Sequence, residues 1–248
     1  MSKRRRNRLS LVLAPLVGVG CGLPAHQQPT PAQTPTENRP MQEANRGTDA
    51  AARQPETVRQ GTTGDLDERT RVGVMNVFDD GPSAQVSLWS PETQAGAAGH
   101  GPLTLTVRRG SIVAWGGRFY RVTEVRPAAG DERGAVTFDR RPVELQGTTL
   151  QPDSYALPVG GRGTLHNHSV ELVGVEERSG KRVARVDVWP GGQAKEDAEK
   201  NSRLSRSEVA AGDVLKIGER RLSVRSVVAP RPEQGLAGLV EIDLKPQP

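Results

Sequence analysis

The chain is short of the residues that build large cores and of those that carry chemistry. Only 3% of its 248 residues are aromatic: three Phe, three Trp and two Tyr. There is one cysteine, Cys21, so no intramolecular disulfide can form. The apolar stretch at residues 9–20 falls short of the roughly 18 residues a membrane-spanning helix needs. A Gly-x-Ser-x-Gly elbow, a His-Glu-x-x-His helix, a Gly-rich phosphate loop and a Cys pair are all missing. These absences point away from an enzyme and call for no cofactor.

What is present begins with a leader. Lys3, Arg4, Arg5, Arg6 and Arg8 form a positive segment ahead of residues 9–20, which end in small residues, the layout of a secretory signal. Cys21 follows Val17-Gly18-Val19-Gly20, and this run resembles the lipobox of bacterial prolipoproteins, with Gly18 standing where an aliphatic residue is usual. The resemblance implies cleavage before Cys21, acylation of its thiol and anchoring in a membrane. Acylation would consume a thiol that has no partner. Gly22 lacks the Asp of an inner-membrane retention signal, which implies the outer membrane, facing the periplasm or the cell surface. Arg8 stands where a twin-arginine signal usually has an apolar residue, favouring the general secretory route.

The leader also carries the charge. The full chain has 34 Lys and Arg against 29 Asp and Glu, and residues 1–20 hold five of the bases and no acid. The remainder is formally neutral, so the sequence pI of about 9.8 is no argument for nucleic acid.

Residues 22–70 contain no Phe, Trp or Tyr and only four large aliphatic or Met residues, Leu23, Met41, Val58 and Leu66, among many Pro, Gln, Thr and Ala. Such a composition buries too little apolar surface to offset its ordering entropy, so residues 21–70 read as a disordered tether after the lipidated cysteine. As flexible coil it would span on the order of 40 Å.

Beyond residue 70 the chain repeats itself. Ala84-Gln85-Val86-Ser87-Leu88-Trp89 matches Ala184-Arg185-Val186-Asp187-Val188-Trp189, residues 107–118 match 209–220, and 134–139 match 238–243. Each copy reads as about six short strands separated by Gly, Pro, Asp and Ser clusters. The expected organisation is all-β: signal peptide 1–20, tether 21–70, β domain 71–145, linker 146–166, and a second β domain 167–246. Gly116-Gly117 and Gly218-Glu219 read as two-residue hairpin turns. Tyr120 and Val122 share a strand face while Val125 falls on the other, as do Leu222, Val224 and Val227, and a bulge between the paired valines would restore the register. An aliphatic residue, two spacers, Gly, a short strand, a hairpin and a longer strand resemble SH3-like small barrels over about a third of each copy. That likeness implies a six-stranded barrel or sandwich. Units of roughly 75–80 residues have modest cores, so the copies are expected to pack together.

The copies share few polar residues. Arg118/Arg220 and Asp139/Asp243 are the identical charged pairs, read as cross-strand ion pairs. His166 and His168 alternate on what reads as a strand, so both rings could face one metal, with His100 a third ligand only if loops met. Trp89 and Trp189 each precede a connection of about 14 residues, long enough to suggest function or added structure, and residues 194–201 of the second connection suit a short helix. The bland reading makes these Trp core; the functional one makes them partner contacts. Trp115 faces Ile217 in the alignment and is the better candidate for a contact peculiar to copy one. Residues 71–145 hold nine Arg and no Lys, suited to bidentate recognition of carboxylates. The leading expectation is a non-enzymatic, lipid-anchored envelope protein whose tandem β domains bind a protein or cell-wall partner. An envelope immunity or inhibitor protein against an exported toxin, and a metal-binding protein or metal-dependent enzyme using His166 and His168, stand as alternatives.

Overall fold

The computed structural model describes residues 54–79, 82–94 and 100–246, all within one compact unit, Gln42–Pro248. The first half contains β1 (Glu56–Arg59), β2 (Thr63–Asp65), β3 (Arg71–Phe78), β4 (Ser83–Trp89), α1 (Pro91–Gln94), β5 (His100–Arg108), β6 (Ile112–Trp115), β7 (Arg118–Arg126) and β8 (Ala135–Asp139). The second contains β9 (Ser154–Pro158), β10 (Arg162–Leu165), β11 (His168–Arg178), β12 (Lys181–Pro190), α2 (Lys195–Lys200), β13 (Ser205–Ala210), β14 (Val214–Ile217), β15 (Arg220–Val228) and β16 (Leu239–Pro246). Alternation fixes the faces. In β4, Ala84, Val86 and Leu88 are buried and the residues between them are half-buried.

The duplication is complete at the level of strand pairing. Sheet order β1-β8-β7-β6 recurs as β9-β16-β15-β14, eight strands on. The third sheet runs β13-β12-β11-β10-β5-β4-β3-β2, so β2–β5 of copy one continue, through the antiparallel β5–β10 pair, into β10–β13 of copy two. The all-β, tandem expectation holds. Its detail is corrected: each copy has eight strands, and the sheets do not close into the barrel that the SH3-like pattern implied.

The two extra strands of each copy come from segments read as tether and linker. β1 and β2 lie inside residues 21–70, and β9 and β10 inside 146–166. Average composition concealed them, but two of the few aliphatics there, Val58 and Leu66, are each 1% exposed. They belong to a repeat element at a constant offset: Val58, Gly61, Gly64 and Leu66 correspond to Leu157, Gly160, Gly163 and Leu165. Gly61 and Gly160 take left-handed φ of 78° and 75°, and their amides donate to Val74 O and Leu172 O respectively. The rest of the tether, the leader and Cys21 lie outside the described residues.

Bulges set the register. β7 shifts between Val122 and Glu124 and β15 between Val224 and Ser226, as the misaligned valines required. A second equivalent pair, between Val74 and Asn76 and between Leu172 and Gly174, leaves Met75 and Val173 unpaired. Among the described residues these are the exposed large hydrophobics, at 55% and 43%.

The main core gathers inward residues of all three sheets, among them Val58, Leu88, Tyr120, Phe138, Leu157, Leu215 and Ile242. A second core lies between the copies. Ile112, Ala114 and Phe119 on the outer face of β6 and β7 meet Ala156, Leu236 and Leu239 of copy two, with Leu145 and Leu150 of the connection between them. β6 and β9 are therefore buried on both faces. The Ile112 amide also donates to Gly235 O at 2.9 Å. At the corresponding face of copy two, Ala114 and Phe119 are replaced by exposed Lys216 and Arg221, which closes the array at two units.

Candidate functional site

The junction of the copies leaves a cleft. His100 opens β5, Trp115 closes β6 and Tyr155 sits in β9, one strand from each of the three sheets, and the packing of the sheets brings the three rings together. Their centroids lie 5.6–5.8 Å apart, with Trp115 edge-on to both neighbours. Beside them is a cavity of about 290 Å³, lined also by Glu68, Arg69, Ser90, Glu92 and Leu244. Tyr155 is seated by a missing side chain: a Cβ on Gly163 would stand 1.7 Å from its hydroxyl oxygen. The hydroxyl has no hydrogen-bond partner and burial pushes its pKa up, so it stays neutral. His100 is similar. Burial holds its pKa below the usual imidazole range, and its Nδ1 is buried without a partner. The cleft thus combines aromatic edges with an exposed rim of Glu68, Arg69 and Glu92. Such a set can hold a ligand by ring contact and by hydrogen bonds to hydroxyl, amide or ammonium groups.

One wall of the cleft is braced by a polar network. Asp67 accepts hydrogen bonds from the Tyr120 hydroxyl, from the Arg69 amide at 2.8 Å and from Arg118 Nη1 at 2.6 Å. Thr70, 1% exposed, lies 3.1 Å from the Tyr120 hydroxyl. Burial alone would raise the Asp67 carboxyl, but the hydrogen bonds from Tyr120, Arg69 and Thr70, with Arg118 alongside, outweigh it and hold the pKa below the usual value. The same contact and burial push the Tyr120 phenol up. This network corrects the expected Arg118–Asp139 pair: Asp139 pairs with Arg141 at 3.3 Å, and Asp243 with Arg225 at 2.9 Å.

Of the tryptophans, Trp115 alone lines the cleft, although it is only 5% exposed. Trp189 is 1% exposed and structural. Its indole N–H donates to Gln193 O at 3.0 Å, and Arg162 and Lys195 lie 5.0 and 5.7 Å from its ring centre. Lys195 opens α2, the helix expected at 194–201, and pairs with Glu171 and Asp187 at 2.8 and 2.7 Å. The long connection of copy two therefore folds back on its own sheet. Trp89 is half-buried beside Gly73, its indole nitrogen buried without a partner.

The histidine pair is not a strand pair. His166 and Asn167 take left-handed φ of 47° and 63° and form the two-residue turn between β10 and β11, with Leu165 opposite His168. His168 Nδ1 lies 3.0 Å from His166 O. Leu165 also pairs with His100, so all three histidines gather near the β5–β10 seam. Among the described residues no group of three His, Cys, Asp or Glu is placed to hold a metal. The strand alternation from which the pair was read is thereby corrected: His166 lies in the turn and His168 opens the next strand.

Glu68, Arg69 and Tyr155 were missed because they fall in segments read as tether and linker. The repeated Gly-x-x-Gly-x-Leu, at residues 61–66 and 160–165, was the signal that would have placed them. No protein-family model, no curated protein and no solved structure matches the chain.

Proposed function

We propose that this chain is a non-enzymatic, lipid-anchored envelope protein, held through Cys21 in the outer membrane, whose tandem β units bind a protein or cell-wall partner at the cleft between the copies. The observation that carries this reading is the cleft itself. It exists only because the two copies share a sheet and a second core, and it is lined by Trp115, where copy two has Ile217. The run before Cys21 supports the anchor, and the offered groups favour recognition over bond breaking.

The test uses the full chain as bait in envelope extracts, beside a Glu68→Arg/Glu92→Arg variant that alters only exposed rim residues. The wild type should recover a partner that the variant loses. Recovery of nothing, together with an intact envelope after gene deletion, would count against the binding role. Separately, Cys21→Ser should move the protein from the membrane pellet to the soluble fraction. Retention in the pellet would remove the anchor from the reading.

A further inference from the structure

The duplicated fold contains its own control for which surface residues the scaffold needs. At the far end of copy one, Arg59 of β1, Arg126 of β7 and Arg133 of the β7–β8 loop line a single concavity of about 590 Å³, with Thr62, Asp131 and Glu132. The equivalent positions in copy two, by strand register, are Pro158, Val228 and Ala237. The fold therefore needs no cation at any of the three. None of these guanidinium groups has a carboxylate oxygen within 4.0 Å among the described residues. No ion pair among the described residues engages any of the three, and three Arg against the two acids of the same lining leave the hollow with a formal charge of +1, which favours an anion.

The end of a repeat array must be polar to stay soluble, and that requirement has to be weighed first. Polarity of either sign would meet it. It does not ask for three arginines in one concavity, in a copy that carries no lysine between residues 71 and 145.

We infer that this concavity is a phosphate-binding site, distinct from the cleft between the copies. Guanidinium groups present paired N–H donors that match the oxygens of a phosphate, and three of them around a hollow can address the three non-bridging oxygens of a phosphomonoester. Asp131 and Glu132 on the same loop then suit a ligand whose remainder carries hydroxyl or ammonium donors. The phosphate could belong to a lipid headgroup or to a soluble phosphoester.

The experiment uses the full chain carrying Cys21→Ser, so that acylation does not confound membrane binding. Binding of sn-glycerol 3-phosphate is followed by calorimetry, and binding to vesicles containing phosphatidic acid, whose headgroup is a phosphomonoester, by co-sedimentation. Arg59→Gln/Arg126→Gln/Arg133→Gln should weaken binding by at least about tenfold, while Lys181→Gln/Arg182→Gln/Arg203→Gln, which removes equal charge from copy two, should stay within about twofold. All six residues are exposed, and an unchanged melting midpoint shows that the variants fold. Site-dependent vesicle binding identifies a headgroup; site-dependent binding of the soluble ester without vesicles identifies a free phosphoester. No saturable binding of either, or equal loss in both variants, overturns the assignment. The rim variant Glu68→Arg/Glu92→Arg should keep phosphate binding, which separates this site from the cleft.

Discussion

At the scale of single residues, two contacts carry testable energy. Asp67 gathers donors from three residues around the turn that walls the cleft, and its folded pKa is depressed. Its stabilisation is therefore present above the unfolded carboxylate value of about 4 and is lost as pH falls through the lower folded value. Asp67→Asn should cost about 2 kcal/mol at neutral pH, as expected for hydrogen bonds to a charged group. Denaturation of wild type and variant across pH should show the gap closing below about pH 4. A gap independent of pH would remove the carboxylate from the account. Gly163 is the second case. Its substitution by Ala drives a methyl into the Tyr155 hydroxyl and ring, and should cost about 3 kcal/mol. The double variant with Tyr155→Leu should recover part of that loss in a thermodynamic cycle.

At the scale of elements, β5 is the informative strand. Within copy one alone it would be a sheet edge; the Arg162–Thr104 and Gly163–Leu103 pairs make it the centre of an eight-stranded sheet. Amide exchange should therefore be as slow in residues 103–105 as in β4, whereas independent copies would leave alternate β5 amides fast. Much of the strand content was legible from alternation and turn residues, because β4 and β12 bury one face and pair with close neighbours. β1, β2, β9 and β10 were not, since each is three to five residues long. The contacts that stabilise them come from strands far along the chain: β1 pairs with β8, about eighty residues away. His166 was misplaced for a related reason. Alternation looked the same whether the pair lay on a strand or straddled a turn, and only the backbone angles distinguish them.

At the scale of the whole molecule, a shared sheet and a shared second core couple the copies. The described part should unfold in one transition, with the same midpoint by calorimetry and by tryptophan fluorescence. Phe119→Asp, placed in the core between the copies, should lower the stability of both together. Two separable transitions in the wild type would mean that the junction contributes little.

The sequence by itself determined the all-β class, the duplication, the bulge between the paired valines and the short helix after Trp189. All of these follow from local pattern or from self-comparison. It also held Cys21 and the run before it, which no strand pairing bears on. Only the tertiary structure decided that each copy has eight strands, that the copies merge through β5 and β10, and that His100, Trp115 and Tyr155 meet. The reason is physical. Strand pairing and ring contact depend on which distant segments become neighbours, and a short polar segment acquires order only from the partner that buries its few apolar residues.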